Sequence, residues 1–292
     1  MWPAQVIARI EGGLGNQLFQ YAAARSLADR LGCELALDLR GLEDNGDRPF
    51  QLDLYRIRAR VATPQLLAGL PDWRSSRWKR LHSRLSQCMP AVCSFPVFWP
   101  RSFAFDPRFE RIARPVYLVG YWQSEKYFDW NRARLLQDIQ LVSPTPETTP
   151  WLDQIRHTCS VALHIRRGDY VSNPSAAQFH GVCDMAYYQT AVQTLRQQFP
   201  HMQVFVFSDE PEWARKNLRL DVPTYYVDAN PGQVDLELMR QCRHHVVANS
   251  SFSWWGAWLC ESAGQVVHAP RRWFADPVTD TSDVVPVRWM QL

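Results

Sequence analysis

The sequence predicts an α/β protein with largely parallel sheets, divided into two domains with a cleft between them. Short apolar runs alternate with amphipathic helical segments, which is typical of strands joined by crossover helices. The 292 residues exceed the ~100 to 200 residues of one ordinary domain. Pro144, Pro146 and Pro150 interrupt both helices and central strands. We therefore expect one domain over residues 1–145 and a second over residues 146–292.

The N-terminal half begins with a strand, a tight turn and a helix. Val6–Ile10 is an apolar run that leads directly into Gly12-Gly13-Leu14-Gly15-Asn16-Gln17. Helical spacing of apolar residues then continues to Gly32, a typical helix stop. A second strand is predicted over Glu34–Leu39 and a loop over 44–47. Seven prolines make the rest of this half irregular, and we predict no elements there.

The C-terminal half predicts a repeating βαβ domain. Five apolar runs separated by helical stretches are expected to form its strands: Ser160–Ile165, Gln203–Phe207, Thr224–Val227, His245–Ala248 and Gln265–His268.

Composition and charge exclude several classes of protein. Hydrophobic residues make up 46% and charged residues 21%, which is typical of a globular protein and not of a disordered one. The net charge of +3 is small and its basic residues are scattered, so a general nucleic-acid surface is not indicated. The 7 cysteines form no C-x-x-C pair, so neither a zinc site nor a disulfide framework is predicted.

The same features suggest where the chain acts. Free thiols fit a reducing cytoplasm. The N-terminal residues lack the basic region and apolar run of a signal peptide, and no run reaches the ~18 to 20 apolar residues of a membrane span. We therefore expect a bacterial cytoplasmic protein rather than a membrane-anchored one of the Golgi type.

The glycine-rich turn is the first candidate ligand site. Glycines let the backbone approach a ligand, and the amides of a helix N-terminus attract anions. The spacing is neither a dinucleotide fingerprint, because Leu18 replaces the third glycine, nor a P-loop. A tight turn without a ligand is the alternative, but the side-chain amides of Asn16 and Gln17 at the helix start favour ligand contact.

The second candidate is an apolar strand that ends in His164-Ile165-Arg166-Arg167-Gly168-Asp169. Ligands of open α/β sheets bind beyond the carboxyl ends of the strands. Two arginine forks there could hold a diphosphate without a metal ion. Alternatively, Arg166 and Arg167 form ion pairs with Asp169 and a neighbour on a solvated loop.

The end of the next predicted strand repeats this geometry. Ser208-Asp209-Glu210 follows the next strand, where Asp209 could accept a hydrogen bond from a ribose hydroxyl or a guanine edge. Alternatively, Ser208 or Asp209 caps a helix that opens at Pro211.

A hydroxyl-rich helix start, Asn249-Ser250-Ser251-Phe252-Ser253, offers a second phosphate cradle. The tryptophans that follow, Trp254, Trp255 and Trp258, have helical spacing and are expected in the core rather than as sugar platforms. The segment Trp73–Arg80 mixes aromatic and basic residues, and we interpret it as a solvated face rather than a membrane or glycan contact.

No metal site is predicted. No two aspartates are separated by a single residue, so the D-x-D metal motif of many nucleotide-sugar enzymes is absent and arginines would take its place. The pair His244-His245 points to opposite sides of a strand, which favours a structural role over metal binding.

Four motifs occurring in this order resemble those of the α-1,2-fucosyltransferases: Gly12–Gln17 (G-G-L-G-N-Q), His164–Asp169 (H-x-R-R-x-D), Phe207–Asp209 (F-S-D) and Asn249–Trp255 (N-S-S-F-S-W-W). The resemblance covers nearly the whole chain. It implies a GT-B-like fold, two Rossmann-like domains facing across a cleft. It also implies inverting, metal-independent transfer of L-fucose from GDP-β-L-fucose to the 2-hydroxyl of a terminal galactose.

The resemblance also implies roles for particular residues. Arg166 would hold the β-phosphate and stabilise the leaving GDP, with Arg167 beside it. His164 and Asp209 would contact guanine or ribose. The remaining donor contacts are implied for Ser250, Ser251 and Phe252 on the phosphate side, and for Gly13, Asn16 and Gln17 from across the cleft.

The acceptor side is less defined. Asp169 is the first candidate for the general base, but it could instead orient the arginines, leaving Glu11 or Glu210 as the base. The expected acceptor is a galactose-terminated oligosaccharide or lipid-linked glycan at the cytoplasmic face of the inner membrane. A fucosyltransferase of α-1,6 or protein O-linked specificity, or a non-catalytic carbohydrate-binding protein, remains the alternative.

Overall fold

The computed structural model describes residues 5–44, 48–68, 70, 96–143, 149–227 and 230–292. The chain forms two compact units, Met1–Gln140 and Leu141–Leu292. This division lies close to the boundary expected at residue 145. Three segments with predicted features lie outside the described residues: 45–47 of the loop predicted over 44–47, Trp73–Arg80, and the prolines 144 and 146. Asp44, the first residue of that predicted loop, is instead the last residue of a helix.

The first unit contains a parallel sheet. Its described strands are β1 Gln5–Arg9, β2 Glu34–Asp38, β3 Arg60–Val61, β4 Val97–Phe98 and β5 Tyr117–Leu118, in the order β3-β2-β1-β5-β4. The strands β1 and β2 fall where the sequence predicts them. Sequence reasoning missed the other three, because runs of two residues carry no periodicity.

Helices and 3₁₀ turns cover this sheet. The α-helices are α1 Leu14–Leu31, α2 Arg40–Asp44, α3 Pro64–Leu67 and α4 Arg132–Asp138, and the 3₁₀ turns are Leu52–Leu54, Pro107–Arg111, Glu125–Tyr127 and Asp129–Asn131. Helix α1 ends at Gly32, whose φ of 61° gives the left-handed cap that glycine favours. The predicted helix stop is therefore confirmed.

The second unit contains a larger parallel sheet. Its described strands are β6 Cys159–Ile165, β7 Met202–Ser208, β8 Thr224–Tyr226, β9 His244–Val246, β10 Val267–Ala269 and β11 Met290–Gln291. The five predicted strands agree with β6 to β10 within two residues at either end. The sheet order is β11-β10-β9-β6-β7-β8. Counted from β6, this is the order 3-2-1-4-5-6 of a Rossmann-like fold.

Helices lie on both faces of this sheet. They are α5 Thr149–His157, α6 Gly168–Ser172, α7 Pro174–His180, α8 Met185–Gln198, α9 Pro211–Asn217, α10 Gly232–Gln241 and α11 Ser251–Trp258. Alternate residues of β6 point to opposite faces. Val161 and Leu163 pack with α8 and α9, whereas Ala162 packs with α5 and α10. Both faces of the sheet are therefore core.

The described part of the chain contains no helix that is long and apolar enough to cross a membrane. Its cysteines, Cys33, Cys159, Cys183, Cys242 and Cys260, are free thiols.

Candidate active site

The topology of the second unit defines where a ligand is expected. Successive connections run outwards in both directions from β6, so the order of the strands reverses between β6 and its neighbour β9. Ligands of open α/β sheets bind at the carboxyl ends of the strands at such a reversal. Arg166 directly follows β6, and Ser250 lies four residues beyond the end of β9. The two motifs predicted to hold phosphate thus meet at this reversal.

Arg166 is held by two carboxylates. Its Nη2 lies 2.6 Å from Asp169 Oδ1, and its Nη1 lies 3.1 Å from Asp209 Oδ2. Its Cζ lies 5.4 Å from the ring centroid of Tyr170, a cation–π contact. The side chain is 24% exposed, so the guanidinium is fixed and still accessible. The ion-paired arrangement that the sequence left as an alternative is present, and it occurs at the strand end rather than away from it.

Arg167 is packed more tightly. Its backbone N–H donates to Asp209 Oδ1 at 3.0 Å, and its Nε donates to Glu210 Oε2 at 3.1 Å. The guanidinium lies over the ring of Trp213, 3.6 Å from the centroid. Sequence reasoning missed Trp213, which lies in the middle of α9 outside any motif. These contacts fix the backbone that carries Arg166.

The Asp209 carboxylate therefore bonds to the turn that carries Arg166 and Arg167, here called the arginine turn, and does not cap helix α9. The N-cap of α9 is Glu210, and Pro211 opens the helix as predicted. The alternative that Ser208 or Asp209 caps the helix is wrong, because the Asp209 carboxylate is engaged by the two arginines and Ser208 Oγ accepts from the Glu210 N–H at 3.0 Å. Burial raises the pKa of Asp209, although the Arg166 charge opposes this shift.

His164 is a buried, neutral side chain at the same strand end. It is 4% exposed, and its ring centroid lies 5.6 Å from that of Phe252. Burial, with a smaller contribution from the charge of Arg166, lowers the pKa of His164 to about 3. Its Nδ1 has no hydrogen-bond partner among the described residues. A buried polar atom of this kind indicates a place for a ligand or a water molecule.

The start of α11 is held from both sides. Ser250 is its N-cap, and the Ser250 hydroxyl accepts from the Phe252 N–H at 3.3 Å. Asn249 donates through Nδ2 to the carbonyl oxygens of His180, Gly181 and Trp273 at 2.9 to 3.2 Å. The predicted core role of Trp254, Trp255 and Trp258 is confirmed, since each is at most 1% exposed.

An aromatic stack lies beside Arg166. The rings of Tyr170 and His180 are nearly parallel, with centroids 4.3 Å apart, and the ring of Phe274 lies 5.5 Å from that of His180. Burial raises the pKa of Tyr170 to about 12 and lowers that of His180. Sequence reasoning missed this stack, because only the fold brings residues 170, 180 and 274 together.

A further carboxyl was missed in the first turn of α10. Burial raises the pKa of Asp235 to about 7, although a hydrogen bond from Asn230 at 3.1 Å opposes the shift. Gly232, the first residue of the same helix, lies beside Phe252, since a Cβ added there would be 3.7 Å from Phe252 Cε2. Nothing in the local sequence marks Asp235, because its burial depends on the fold.

In the first unit, the glycine-rich turn lies at the equivalent reversal, where β1 and β5 are neighbours. Gly12 has a φ of 77°, a left-handed conformation that glycine favours. Gly13 is the N-cap of α1, and a Cβ added there would have no atom within 4 Å. Asn16 Oδ1 accepts from Gln123 Nε2 at 2.9 Å. Gly13 therefore has open space beside it, whereas Asn16 is half-buried and its Oδ1 is engaged by Gln123.

Gln17 has a different environment. It is fully buried, and its Nε2 donates to the carbonyl oxygens of Gly12 and Pro49, both at 2.9 Å. Its Oε1 accepts from the Gln51 N–H at 3.0 Å. These bonds occupy both ends of the amide. The geometry therefore gives Gln17 the task of holding the turn, and the donor contact implied for it stays a prediction.

Two sequence predictions concern metal binding: no metal site is expected, and the pair His244-His245 is expected to have a structural role. No group of three or more His, Cys, Asp or Glu side chains suited to a metal ion is found among the described residues. His245 bonds to the Met239 carbonyl oxygen at 2.8 Å and His244 Nδ1 accepts from the Val266 N–H at 3.1 Å. Both histidines are buried within the sheet, which fits the structural role expected for them.

Two α/β units, each with a parallel sheet whose strand order reverses, have a GT-B-like fold, and the fixed arginines lie at the reversal point of the second sheet. A solved structure of an Arabidopsis thaliana FUT1 variant in complex with GDP shares this fold. It has a TM-score of 0.54 at 12% identity and covers 93% of this chain and 71% of that chain. The prediction of a GT-B-like fold is confirmed.

The chain belongs to glycosyl transferase family 11, whose family profile matches residues 106–292. An alpha-1,2-colitosyltransferase from Escherichia coli is 31% identical over 98% of both chains. A mouse protein, galactoside 2-alpha-L-fucosyltransferase Sec1, is 25% identical over 86% of this chain and 63% of its own length. The family resemblance in the motifs is therefore confirmed, and the protein is a glycosyltransferase.

Proposed function

We propose that the protein is a galactoside α-1,2-fucosyltransferase. It would transfer L-fucose from GDP-β-L-fucose to the 2-hydroxyl of a terminal galactose with inversion at the anomeric carbon. The observation that carries this proposal is Arg166, an accessible guanidinium fixed by Asp169 and Asp209 at the reversal point of a Rossmann-like sheet. Family membership and the name of the mouse relative support the sugar and the linkage.

Arg166 would stabilise the leaving group. As the bond from the anomeric carbon to the diphosphate oxygen breaks, negative charge grows on the β-phosphate. A guanidinium already held by two carboxylates needs little reorganisation to meet that charge. Loss of one such preorganised donor typically slows turnover by about 10² to 10³-fold. Arg167, with its side chain engaged by Glu210 and Trp213, would add positive charge and hold the turn.

His164 and the start of α11 would complete the donor site. The unpartnered Nδ1 of neutral His164 suits a hydrogen bond to a neutral donor or acceptor of the nucleotide rather than an ion pair. Ser250, Ser251 and Phe252 would line the phosphate side. Both Asp209 oxygens are bonded to the arginine turn, so Asp209 would accept a hydrogen bond from guanine or ribose only through a further lone pair of one of these oxygens. Gly13 and Asn16 are proposed to reach the donor from the first unit.

The role of Asp169 follows from its partner. The acceptor hydroxyl attacks the anomeric carbon and loses its proton, and a carboxylate helps only late because the pKa of the hydroxyl is high. Asp169 lies 2.6 Å from Arg166, which favours the orienting role that the sequence left open. Asp169→Asn should therefore weaken donor binding and turnover together. Normal turnover in this variant would remove Asp169 from both roles.

The donor sugar has a second candidate. The 31% identity to an α-1,2-colitosyltransferase extends over 98% of both chains, which favours colitose, a 3-deoxy analogue of L-fucose, as an alternative. GDP-L-fucose and GDP-L-colitose should be compared at equal concentration with a galactoside acceptor. A kcat/KM at least as high for GDP-L-colitose would replace fucose by colitose in the proposal and leave the mechanism unchanged.

The decisive experiment measures fucosyl transfer to lactose in EDTA by the native chain, by Arg166→Ala and by Arg196→Ala. Arg196 is a suitable control because it is an exposed arginine paired with a carboxylate, Asp221. We expect the native chain to transfer fucose in EDTA. The variant Arg166→Ala should lose this activity, and Arg196→Ala should keep it. We propose that this transfer needs no metal ion, and transfer abolished by EDTA in the native chain would overturn that.

Other outcomes separate the remaining alternatives. Linkage analysis of the product distinguishes α-1,2 from α-1,6 transfer, and transfer to a peptide hydroxyl would indicate a protein O-fucosyltransferase. No release of GDP together with no binding of GDP by calorimetry would favour a non-catalytic carbohydrate-binding protein. We also propose that the natural acceptor is a galactose-terminated oligosaccharide or lipid-linked glycan at the cytoplasmic face of a bacterial inner membrane.

A further inference from the structure

The second unit has a cavity that the proposed reaction does not use. It has a volume of about 310 Å³, and its polar lining includes Arg156, Arg240, Arg243, Glu261 and Ser262. Ligand sites usually measure about 300 to 1,000 Å³. The cavity is therefore large enough for a small anion carrying an organic group.

The cavity lies at the edge of the sheet opposite the candidate active site. Arg156 lies near the end of α5, shortly before β6 begins, and Arg243 directly precedes β9. The active-site motifs follow the other ends of these two strands. With a rise of about 3.3 Å per residue, the length of β6 separates the two regions by about 20 Å. A ligand in this cavity cannot contact Arg166.

The charges of the cavity are unbalanced. Three arginines and one glutamate line it. Arg240 is 8% exposed, and its ion pairs with Glu237 and Glu261 measure 3.8 and 3.9 Å. Within the described residues, no ion pair is recorded for Arg156 or Arg243. The cavity thus gathers two cations without carboxylate partners beside a third that is buried.

One of these cations is held in place by a neutral side chain. Arg156 donates from Nε and Nη2 to Gln241 Oε1, at 3.3 Å in each case. Gln241 Nε2 in turn donates to Glu237 Oε1 at 2.9 Å, which fixes the amide with its oxygen towards Arg156. A guanidinium positioned by a neutral oxygen keeps its full charge for an anion. Preorganisation of this kind is a property of a binding site.

We propose that this cavity binds a phosphomonoester group through Arg156, Arg240 and Arg243. The guanidinium fork matches the oxygens of phosphate, and the net charge of the lining residues matches a dianion. The Ser262 hydroxyl supplies a further hydrogen bond at the cavity wall. The group could belong to a soluble phosphate compound or to a lipid headgroup. The proposal does not depend on the identity of the sugar donor.

The test measures binding of inorganic phosphate by calorimetry to the native chain and to Arg156→Ala/Arg243→Ala. Both positions are exposed, so the variant should fold. Loss of two charge-assisted contacts should weaken binding about tenfold or more. The double variant Arg196→Ala/Arg219→Ala is the matched control, since it removes two exposed arginines from the other face of the same unit.

The variant Arg166→Ala distinguishes phosphate binding at the candidate active site from phosphate binding in this cavity. Phosphate binding that survives in Arg166→Ala and is lost in Arg156→Ala/Arg243→Ala supports the proposal. Binding unchanged in Arg156→Ala/Arg243→Ala, binding lost only in Arg166→Ala, or no binding by the native chain overturns it.

Vesicles identify the source of the phosphate. Phosphatidylcholine vesicles with phosphatidic acid carry a phosphomonoester, and those with phosphatidylglycerol carry a singly charged phosphodiester. Cosedimentation with phosphatidic acid that is lost in Arg156→Ala/Arg243→Ala assigns a lipid headgroup. Binding of free phosphate without cosedimentation assigns a soluble phosphomonoester. Equal cosedimentation of the native chain and this variant, without binding of free phosphate, contradicts the proposal.

Discussion

Arg166 and Asp209 directly follow the neighbouring strands β6 and β7, and Arg166 Nη1 lies 3.1 Å from Asp209 Oδ2. The other oxygen of Asp209 accepts from the Arg167 N–H at 3.0 Å. One carboxylate thus fixes both the backbone of the arginine turn and its accessible guanidinium. The position of Asp209 should therefore matter to catalysis as much as its charge does. A substitution at a neighbouring residue can test this while Arg166 and Asp209 are both kept.

Gly168→Ala should displace Asp209. A Cβ at residue 168 would lie 2.6 Å from Asp209 Oδ2, closer than real contacts allow. Misplacement of a catalytic group by about 1 Å can slow an enzyme about 10²-fold, so we expect kcat to fall about 10- to 100-fold. Steady-state kinetics with a thermal unfolding scan measures this. Val171→Ala, an exposed change in the same helix, is the control, and normal kcat in Gly168→Ala would contradict the argument.

Gly13→Ala should affect donor binding but not folding. Gly13 has a φ of −75° and open space around the added Cβ, so the free energy of unfolding should stay within about 1 kcal/mol of the native value. If the donor approaches this backbone, its KM should rise about tenfold, the effect of about 1.4 kcal/mol. An unchanged KM would place the donor away from Gly13.

Gly12→Ala is the matched control at the neighbouring position. Its φ of 77° and a Cβ 2.9 Å from Asn16 Nδ2 should lower the free energy of unfolding by about 1 to 2 kcal/mol. Denaturant unfolding of both variants therefore separates backbone strain from loss of donor contact.

Gln17→Ala should destabilise the first unit. The change leaves two carbonyl oxygens and one N–H without their buried partner, at a cost of about 2 to 4 kcal/mol in the free energy of unfolding. Urea unfolding checks this against Asn16→Ala, which removes a half-buried amide bonded to Gln123. Weaker donor binding by Gln17→Ala without loss of stability would instead favour the direct donor contact.

Stability should fall on acidification because of buried histidines. Burial lowers the pKa of His164 to about 3 and that of His245 to about 4, below the ordinary value of 6.5. Between these values the unfolded chain binds protons that the native chain does not, so stability decreases as pH falls below 6.5. At pH 5.5 the loss is about 1.4 kcal/mol for each such histidine.

Denaturant unfolding from pH 7 to pH 5 measures this effect. His245→Gln should show a shallower pH dependence than the native chain, whereas the exposed control His201→Gln should follow the native curve. Equal slopes for all three would show that His245 is charged in the folded state.

Asp235→Asn should stabilise the protein above neutral pH. Burial raises the pKa of Asp235 from 3.8 to about 7, so in this interval the native chain binds a proton that the unfolded chain does not. Stability therefore decreases as pH rises through the interval. At pH 8 the variant should be more stable by about 4 kcal/mol, and most of this difference should vanish near pH 4. Asp153→Asn, at an exposed helix position, is the control for charge removal alone.

The motifs of the candidate site could be predicted from the sequence because each motif is a short continuous segment. An apolar run followed at once by arginine and aspartate predicts a strand end with charge, and β6 and β7 have this form. The same reasoning failed for Tyr170, His180 and Asp235. Their contacts join residues far apart in the chain, and no spacing in the sequence reports on them.

The strands show the same limit. Long alternating or apolar runs located β1, β2 and β6 to β10, because hydrophobic periodicity is a property of the segment itself. The two-residue strands β3, β4, β5 and β11, which the sequence did not predict, form only because neighbouring strands offer their backbone hydrogen bonds. Segments this short have no preference of their own.

The sequence by itself determined the α/β class, the family and the residues that carry charge at the strand ends. The tertiary structure decided which of those residues are accessible. Gln17 and Asn16 are both amides at one helix start, yet Gln17 is fully buried and bonded to three backbone groups, whereas Asn16 is half-buried. Burial depends on packing between distant segments, and a side chain becomes available for chemistry only where that packing leaves it open.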